Sequence, residues 1–274
     1  MSSALAIVVI VAGALLISGV ITLAINRLRP RRGPVLSEHG GSPALRAITT
    51  IYALTLAFVL ASSLQSFQTA RQQTVAEANA VVSIGNLATR LPSTEQLPVL
   101  RELSCYADRV ANHEFPTIRA GGSLPDDNTP LDRLYRVLPN LNQAGQSTVS
   151  ATEAMLTELS TLTSARDTRI RAARDSLPTL LWVVVIGGGV LLLLSVAAIT
   201  VIERPWSQYG VLAALAALIV GVILLIAALD RPFANGQVSI SGGPMRSALA
   251  AVSQHVQRPY CSRSEVSGKA LSSA

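Results

Sequence analysis

The sequence predicts an all-α membrane protein with four transmembrane helices and a helical extramembrane module between the second and third. Three observations carry this. Apolar residues collect into four long runs, none of which contains Asp, Glu, Lys, Arg or His. Charged residues make up 14% of the 274, whereas soluble domains carry about a quarter. The segments between the runs have ordinary polarity, so the chain alternates between lipid-solvated and water-solvated parts and a single globular core is excluded.

The first run, residues 4–25 of an expected helix over 1–26, ends on Asn26, Arg27 and Arg29. About 20 apolar residues at 1.5 Å each cross the hydrocarbon core. Its start is uncharged and its arginines follow it, the reverse of a cleavable signal peptide, so it is expected to be retained. A basic loop fills 27–46. The second run, 47–67, carries Thr49, Thr50, Thr55, Ser62, Ser63, Gln65 and Ser66 among its aliphatics, which predicts a face turned to protein or water. The third, 177–202, opens with Pro178, suited to a first helical turn, and places Trp182 at interfacial depth. A short turn over 203–208 leads into the fourth, 209–229, making an antiparallel hairpin.

Residues 68–176 form the predicted module. Nothing breaks the helix after the second span, so it is expected to continue as a stalk. Ser93, with Gln96 three residues on, reads as a capped helix start. Leu100, Leu103, Ala107 and Val110 then recur at helical spacing as a buried face. Gly121, Gly122, Pro125, Asp126, Asp127 and Asn128 mark a loop, and a short helix is expected over 131–138. A last long helix, about 147–176, carries Met155, Leu159 and Leu162 on one face and feeds the third span through Arg166, Arg169, Arg171 and Arg174. The tail, 230–274, contains an extended patch at Val238 and Ile240. An amphipathic helix follows from Pro244 with Met245, Leu249, Val252 and Val256, and a Ser-rich end from Ser262 is expected to be disordered.

The net charge of +6 invites nucleic acid, but no recognition motif accompanies it. Arg27, Arg29, Arg31, Arg32 and Arg46 lie in the first loop instead, where anion or lipid-headgroup contact and topological anchoring are both open. The positive-inside rule puts this short loop in the cytoplasm of a bacterial inner-membrane protein, with module and tail outside. Cys105 and Cys261 then share a side. On an oxidising side they are able to pair, and two separate thiols are the alternative.

On the second span, Tyr52, Thr55, Val59, Ser62, Ser66, Thr69 and Gln73 recur at steps of three and four. Tyr52, Thr55, Ser62, Ser66 and Thr69 are therefore pore-lining candidates, with helix packing through small polar residues as the competing account. Gly187, Gly188 and Gly189 permit close helix approach or a hinge. The absence of ionisable groups at depth argues against a pump. His39, His113 and His255 lack ligand spacing, so no metal is expected. No cofactor motif, phosphate loop or nucleophile motif is present, and an enzyme is not expected.

Several blocks together resemble a widespread bacterial family of unknown function, labelled bestrophin-like. They are Ile51–Leu54 with Ala57 and Phe58; Ala70, Arg71, Glu77 and Ala78; Tyr106 and Ala107 with His113, Glu114, Phe115 and Pro116; Ala165, Arg166, Arg169, Ala172, Ala173 and Arg174; Leu177, Pro178, Leu181 and Trp182; and Leu229–Phe233 with Val238 and Ser239. Phe115 stands where a tryptophan is expected, and His39, Gly40 and Gly41 replace a more polar stretch. The resemblance implies oligomeric anion channels of four spans with a helical module between spans two and three. It also implies a cytoplasmic module, against the local charge count. The expected function is passive conduction of chloride or another small anion by a homo-oligomer in the lipid bilayer; a structural or sensory protein whose module binds a partner is the alternative.

Overall fold

The structure, a computed structural model, describes residues 43–122, 129–140, 146–174, 177–199, 205–234, 239–256 and 261. The expected first span, Arg27 to Arg32, His39, Val238 and the Ser-rich end lie outside the described residues. Among those described, the regular structure is entirely helical: α1 Pro43–Ala88, α2 Ser93–Arg109, a π-helical turn Val110–Glu114, α3 Phe115–Arg119, α4 Thr129–Val137, α5 Gln146–Arg174, α6 Thr179–Ile199, α7 Pro205–Asp230 and α8 Gly243–Val252, with short 3-10 turns after α4 and α8. Three of these are long and apolar enough to cross a membrane, at Leu45–Ala88, Thr179–Ala197 and Gly210–Asp230.

The helices fall into two compact units, one from the described part of Met1–Ser66 with Ser176–Asp230, the other from Phe67–Asp175 with the described part of Arg231–Ala274. The first holds the membrane-spanning segments. Tyr52 packs with Leu192 and Ile219, and Val59 with Val185 and Ile226. As α1 advances seven residues, α6 retreats from 192 to 185 and α7 advances from 219 to 226, so the three segments alternate in direction. At one end of the α6–α7 hairpin, Asp230 Oδ1 accepts the Leu177 N–H at 2.7 Å, satisfying a donor that the start of a helix leaves unpaired. Pro178 sits just before α6 rather than within it, and its carbonyl accepts the Leu181 N–H.

The second unit is a helical module with its own core. The predicted faces are buried there: Leu100, Leu103 and Ala107 of α2 with Val110 of the π turn, and Met155, Leu159 and Leu162 of α5. Ser93 does not cap α2. The capping position is Pro92, with no side-chain cap, and its carbonyl accepts the Glu95 and Gln96 N–H groups; Ser93 has been drawn into the first turn. Beyond α2 the backbone stays right-handed helical through a π turn into α3. Pro116 explains the widening, because its ring would clash with the carbonyl four residues earlier in a regular helix.

α8 places Met245, Ala248, Leu249 and Val252 in the module core. Val256, read as part of its apolar face, lies beyond the helix and packs only partly against that core. Val252 Cγ2 would lie 2.8 Å from a Cβ at Gly85 of α1, so the two helices touch where α1 has no side chain. Ile240 is not in a strand; its N–H donates to the Pro232 carbonyl at 2.8 Å.

Candidate functional site

Two features concentrate polar chemistry: the membrane-spanning part of α1 and the centre of the module. On α1 the inward seam is Tyr52, Val59 and Ser63 in the first unit, continuing as Ala70, Thr74, Glu77, Val81, Ile84 and Ala88 in the module. After Val59 this seam moves one residue off the predicted polar stripe, since 3.6 residues per turn drifts from a strict seven-residue repeat. The stripe therefore divides. Tyr52 is buried between helices, its ring covering Gly188 and Gly189, where a Cβ would come within 2.8 Å of it. Its hydroxyl donates to the Val185 carbonyl at 2.9 Å. Tyr52 thus belongs to helix packing within one chain, which removes it from the pathway candidates.

Thr55 is half-buried and turns its hydroxyl back onto the Ile51 carbonyl at 2.9 Å. Ser62, Ser66 and Thr69 are exposed. Arg46 is exposed at the start of α1, and the other first-loop arginines lie outside the described residues.

At the module's centre, α1, α5 and the π turn supply ionic side chains and α2 supplies a phenol. Arg169 of α5 grips Glu77 of α1 with Nε at 2.5 Å from Oε2 and Nη2 at 3.0 Å from Oε1. The same Nη2 donates to Glu114 Oε2 at 2.8 Å. Arg166 Nη2 reaches the other Glu114 oxygen at 2.7 Å. Tyr106 of α2 donates its hydroxyl to Glu77 Oε1 at 2.5 Å.

Burial is nearly complete, with side-chain exposures of 0% for Arg169 and Glu77, 3% for Arg166 and 6% for Glu114. The aromatic lining adds cation–π contacts. The Arg169 guanidinium lies 5.0 Å from the Phe115 ring centre and that of Arg166 5.6 Å from Tyr106. Phe115 meets Phe233 edge-on with centroids 6.1 Å apart, so a phenyl ring fills the place where a tryptophan was expected.

Two cations face two anions. Burial alone would raise the Glu114 pKa, but the charges and hydrogen bonds of Arg166 and Arg169 outweigh it and hold the carboxyl below its ordinary value. Burial likewise opposes the Arg169 charge, and Glu77 and Glu114 more than restore it. Burial, with Glu77 adding to it, pushes the Tyr106 phenol well up. Glu114, Arg166 and Arg169 stay charged at neutral pH, and Arg169 grips Glu77 through both carboxyl oxygens. Its chemistry is therefore to lock α1, α2, the π turn and α5 in one register.

Arg166 and Arg169 do not lead into the third span as surface charges; they are core residues, and of the four arginines only Arg171 and Arg174 are exposed. Cys105 and Cys261 are joined by a disulfide in the structure, with Cα atoms 5.0 Å apart. It ties the tail to α2 beside Tyr106. No set of three or more His, Cys, Asp or Glu side chains placed for a metal occurs among the described residues.

The side chains meeting at this cluster, Glu77, Tyr106, Glu114, Phe115, Arg166, Arg169 and Phe233, come from blocks scattered along the sequence. A family model for the bestrophin-like domain matches residues 8–245. This chain belongs to the bestrophin-like family. Solved structures share the bestrophin-like fold. One single-residue variant of a bacterial bestrophin homologue from Klebsiella pneumoniae matches with a TM-score of 0.71 at 15% identity, covering 92% of this chain and 97% of the other. Another gives 0.69 at 14%, covering 90% and 97%. A structure described only as a membrane protein variant gives 0.70 at 14%, covering 92% and 98%. Comparison with curated proteins returns no match.

Proposed function

We propose that this chain is a passive, non-enzymatic conductor of small anions, chloride among them, working as a homo-oligomer in a bacterial inner membrane. The observation that carries the reading is the exposed polar face of α1, Ser62, Ser66 and Thr69. In hydrocarbon, unpartnered hydroxyls are costly, so such a face calls for water or for a polar surface of another copy. Several copies of α1 around an axis supply both, and the arginines of the first loop bias the mouth toward anions through electrostatic focusing.

The module and tail belong, in this reading, on the outer side of the membrane. Both the basic first loop and the Cys105–Cys261 bridge support that side, since disulfides persist where the compartment is oxidising. An impermeant thiol reagent applied to intact cells should label Cys105 and Cys261 only after reduction. Labelling without reduction, or none after it, contradicts the placement.

Ser62→Leu should abolish the current of the protein reconstituted in planar bilayers while leaving its expression and unfolding midpoint unchanged. Equal currents from parent and variant, or no current from the parent, would end the proposal. A sensory role has one observation in its favour, the unbroken run of α1 from the membrane-spanning segment to Glu77 in the module's cluster. Crosslinking through the module distinguishes the two: links between copies of this chain support the conductor, and links to a different protein support the sensor.

A further inference from the structure

Four arginines close in sequence to the ends of the membrane segments stay outside the buried cluster. The apolar run of α1 ends at Phe67, and Arg71 follows one helical turn later. Arg171 and Arg174 occupy the last turn of α5, a short connection before α6 begins at Thr179. Arg231 directly follows α7, which ends at Asp230.

Because the membrane segments of α1, α6 and α7 alternate in direction, the end of the first, the start of the second and the end of the third lie at one interface. All four arginines are exposed. Asp230 accepts the Leu177 N–H, and Glu77 and Glu114 are held by Arg169 and Arg166. Arg171 and Arg174 each have a contact within the protein, that of Arg171 running from Nη2 to Thr168 Oγ1 at 3.3 Å.

We propose that Arg71, Arg171, Arg174 and Arg231 form a belt that binds the phosphate of anionic phospholipid headgroups on the module side. Guanidinium is the side chain best matched to phosphate, through paired N–H donors and weak hydration. The negative end of a helix dipole accounts for cations at the end of α5. It does not account for Arg71, which sits in mid-helix, one turn past the end of the apolar run.

The test uses the full-length protein in detergent micelles at fixed lipid mole fraction. Phosphatidylglycerol should raise the unfolding midpoint by about 3 °C or more over phosphatidylcholine, a shift expected of a ligand that binds only the folded state. The triple variant Arg71→Gln/Arg171→Gln/Arg231→Gln should lose most of that difference, and Arg101→Gln, at an exposed position of α2, should retain it. If the triple variant fails to fold, salt titration of the parent decides, because the phosphatidylglycerol advantage must shrink as ionic strength rises. Equal stabilisation by phosphatidylcholine, an equal shift from inorganic phosphate alone, or a salt-insensitive difference overturns the proposal.

Discussion

Arg169 and Glu77, 92 positions apart in the chain, meet in the module core through two parallel hydrogen bonds of 2.5 and 3.0 Å. The fork of the guanidinium matches the two carboxylate oxygens, and neither side chain touches solvent. This pair, extended by Glu114, Arg166 and Tyr106, is the structural centre of the module.

Removing one partner leaves the other buried and uncompensated. Glu77→Gln and Arg169→Met should each destabilise the protein by ~3–5 kcal/mol. The double variant Glu77→Gln/Arg169→Met should cost clearly less than the sum of the two, because charge balance returns. Thermal unfolding in detergent, followed by circular dichroism, measures all three; additive losses would contradict the cluster's pairing.

The same cluster sets an acid limit. Glu114 has a folded pKa below its ordinary value, so its contribution to stability is fully present above the unfolded value, about 4.3, and is lost as pH falls toward the folded pKa. Unfolding midpoints measured from pH 6 downward should fall below about pH 4.5, and Glu114→Gln, already destabilised at neutral pH, should show a flatter profile. Tyr106, with its pKa raised, adds stability that holds below about pH 10 and is lost as pH rises through its folded pKa.

Packing of α1 on α6 depends on two glycines. Gly188→Ala would put a methyl group 2.8 Å from the Tyr52 ring and should cost ~1–3 kcal/mol. Gly187→Ala meets nothing within 4 Å and should be neutral or slightly stabilising. Tyr52→Phe removes the bond to the Val185 carbonyl and should cost about 1 kcal/mol. Comparison of the unfolding midpoints checks all three, and equal behaviour of the two alanine variants would contradict the packing described.

The Cys105–Cys261 bridge closes a loop with a sequence separation of 156 residues. In the chain-entropy model, closing so long a loop contributes ~5 kcal/mol, so Cys105→Ser/Cys261→Ser should lower the midpoint sharply. α8 still docks through Met245, Leu249 and Val252, which predicts a weakened rather than an absent fold. Unfolding of the parent with and without a reductant provides the independent check.

Much of this was legible along the chain. The apolar stretches of α1, α6 and α7, the antiparallel α6–α7 hairpin and the buried faces of α2 and α5 follow from apolar runs and helical spacing, while the first run lies outside the described residues. The ionic cluster was missed because arginines near a membrane span read naturally as anchors. A signal was nevertheless present: Met155, Leu159 and Leu162 step by four and three, and the next positions in that rhythm are Arg166 and Arg169. In the same way Glu114 continues Leu103, Ala107 and Val110, and Glu77 continues Ala70 and Thr74. A charge that prolongs an apolar stripe is a charge inside a core, provided that partners of opposite sign do likewise on the facing helices. Tyr52 failed in the opposite sense, since its place in the polar stripe said nothing of the glycines on α6 that receive its ring.

The central functional claim is that the Ser62 face of α1 borders an aqueous anion path. Ser62→Cys introduces one free thiol into a chain whose two native cysteines are bonded to each other. Current through the reconstituted variant, recorded before and after a membrane-impermeant, negatively charged thiol reagent, tests the claim directly. A large fall in anion current on modification is the predicted result; full labelling of the thiol with unchanged current would contradict it.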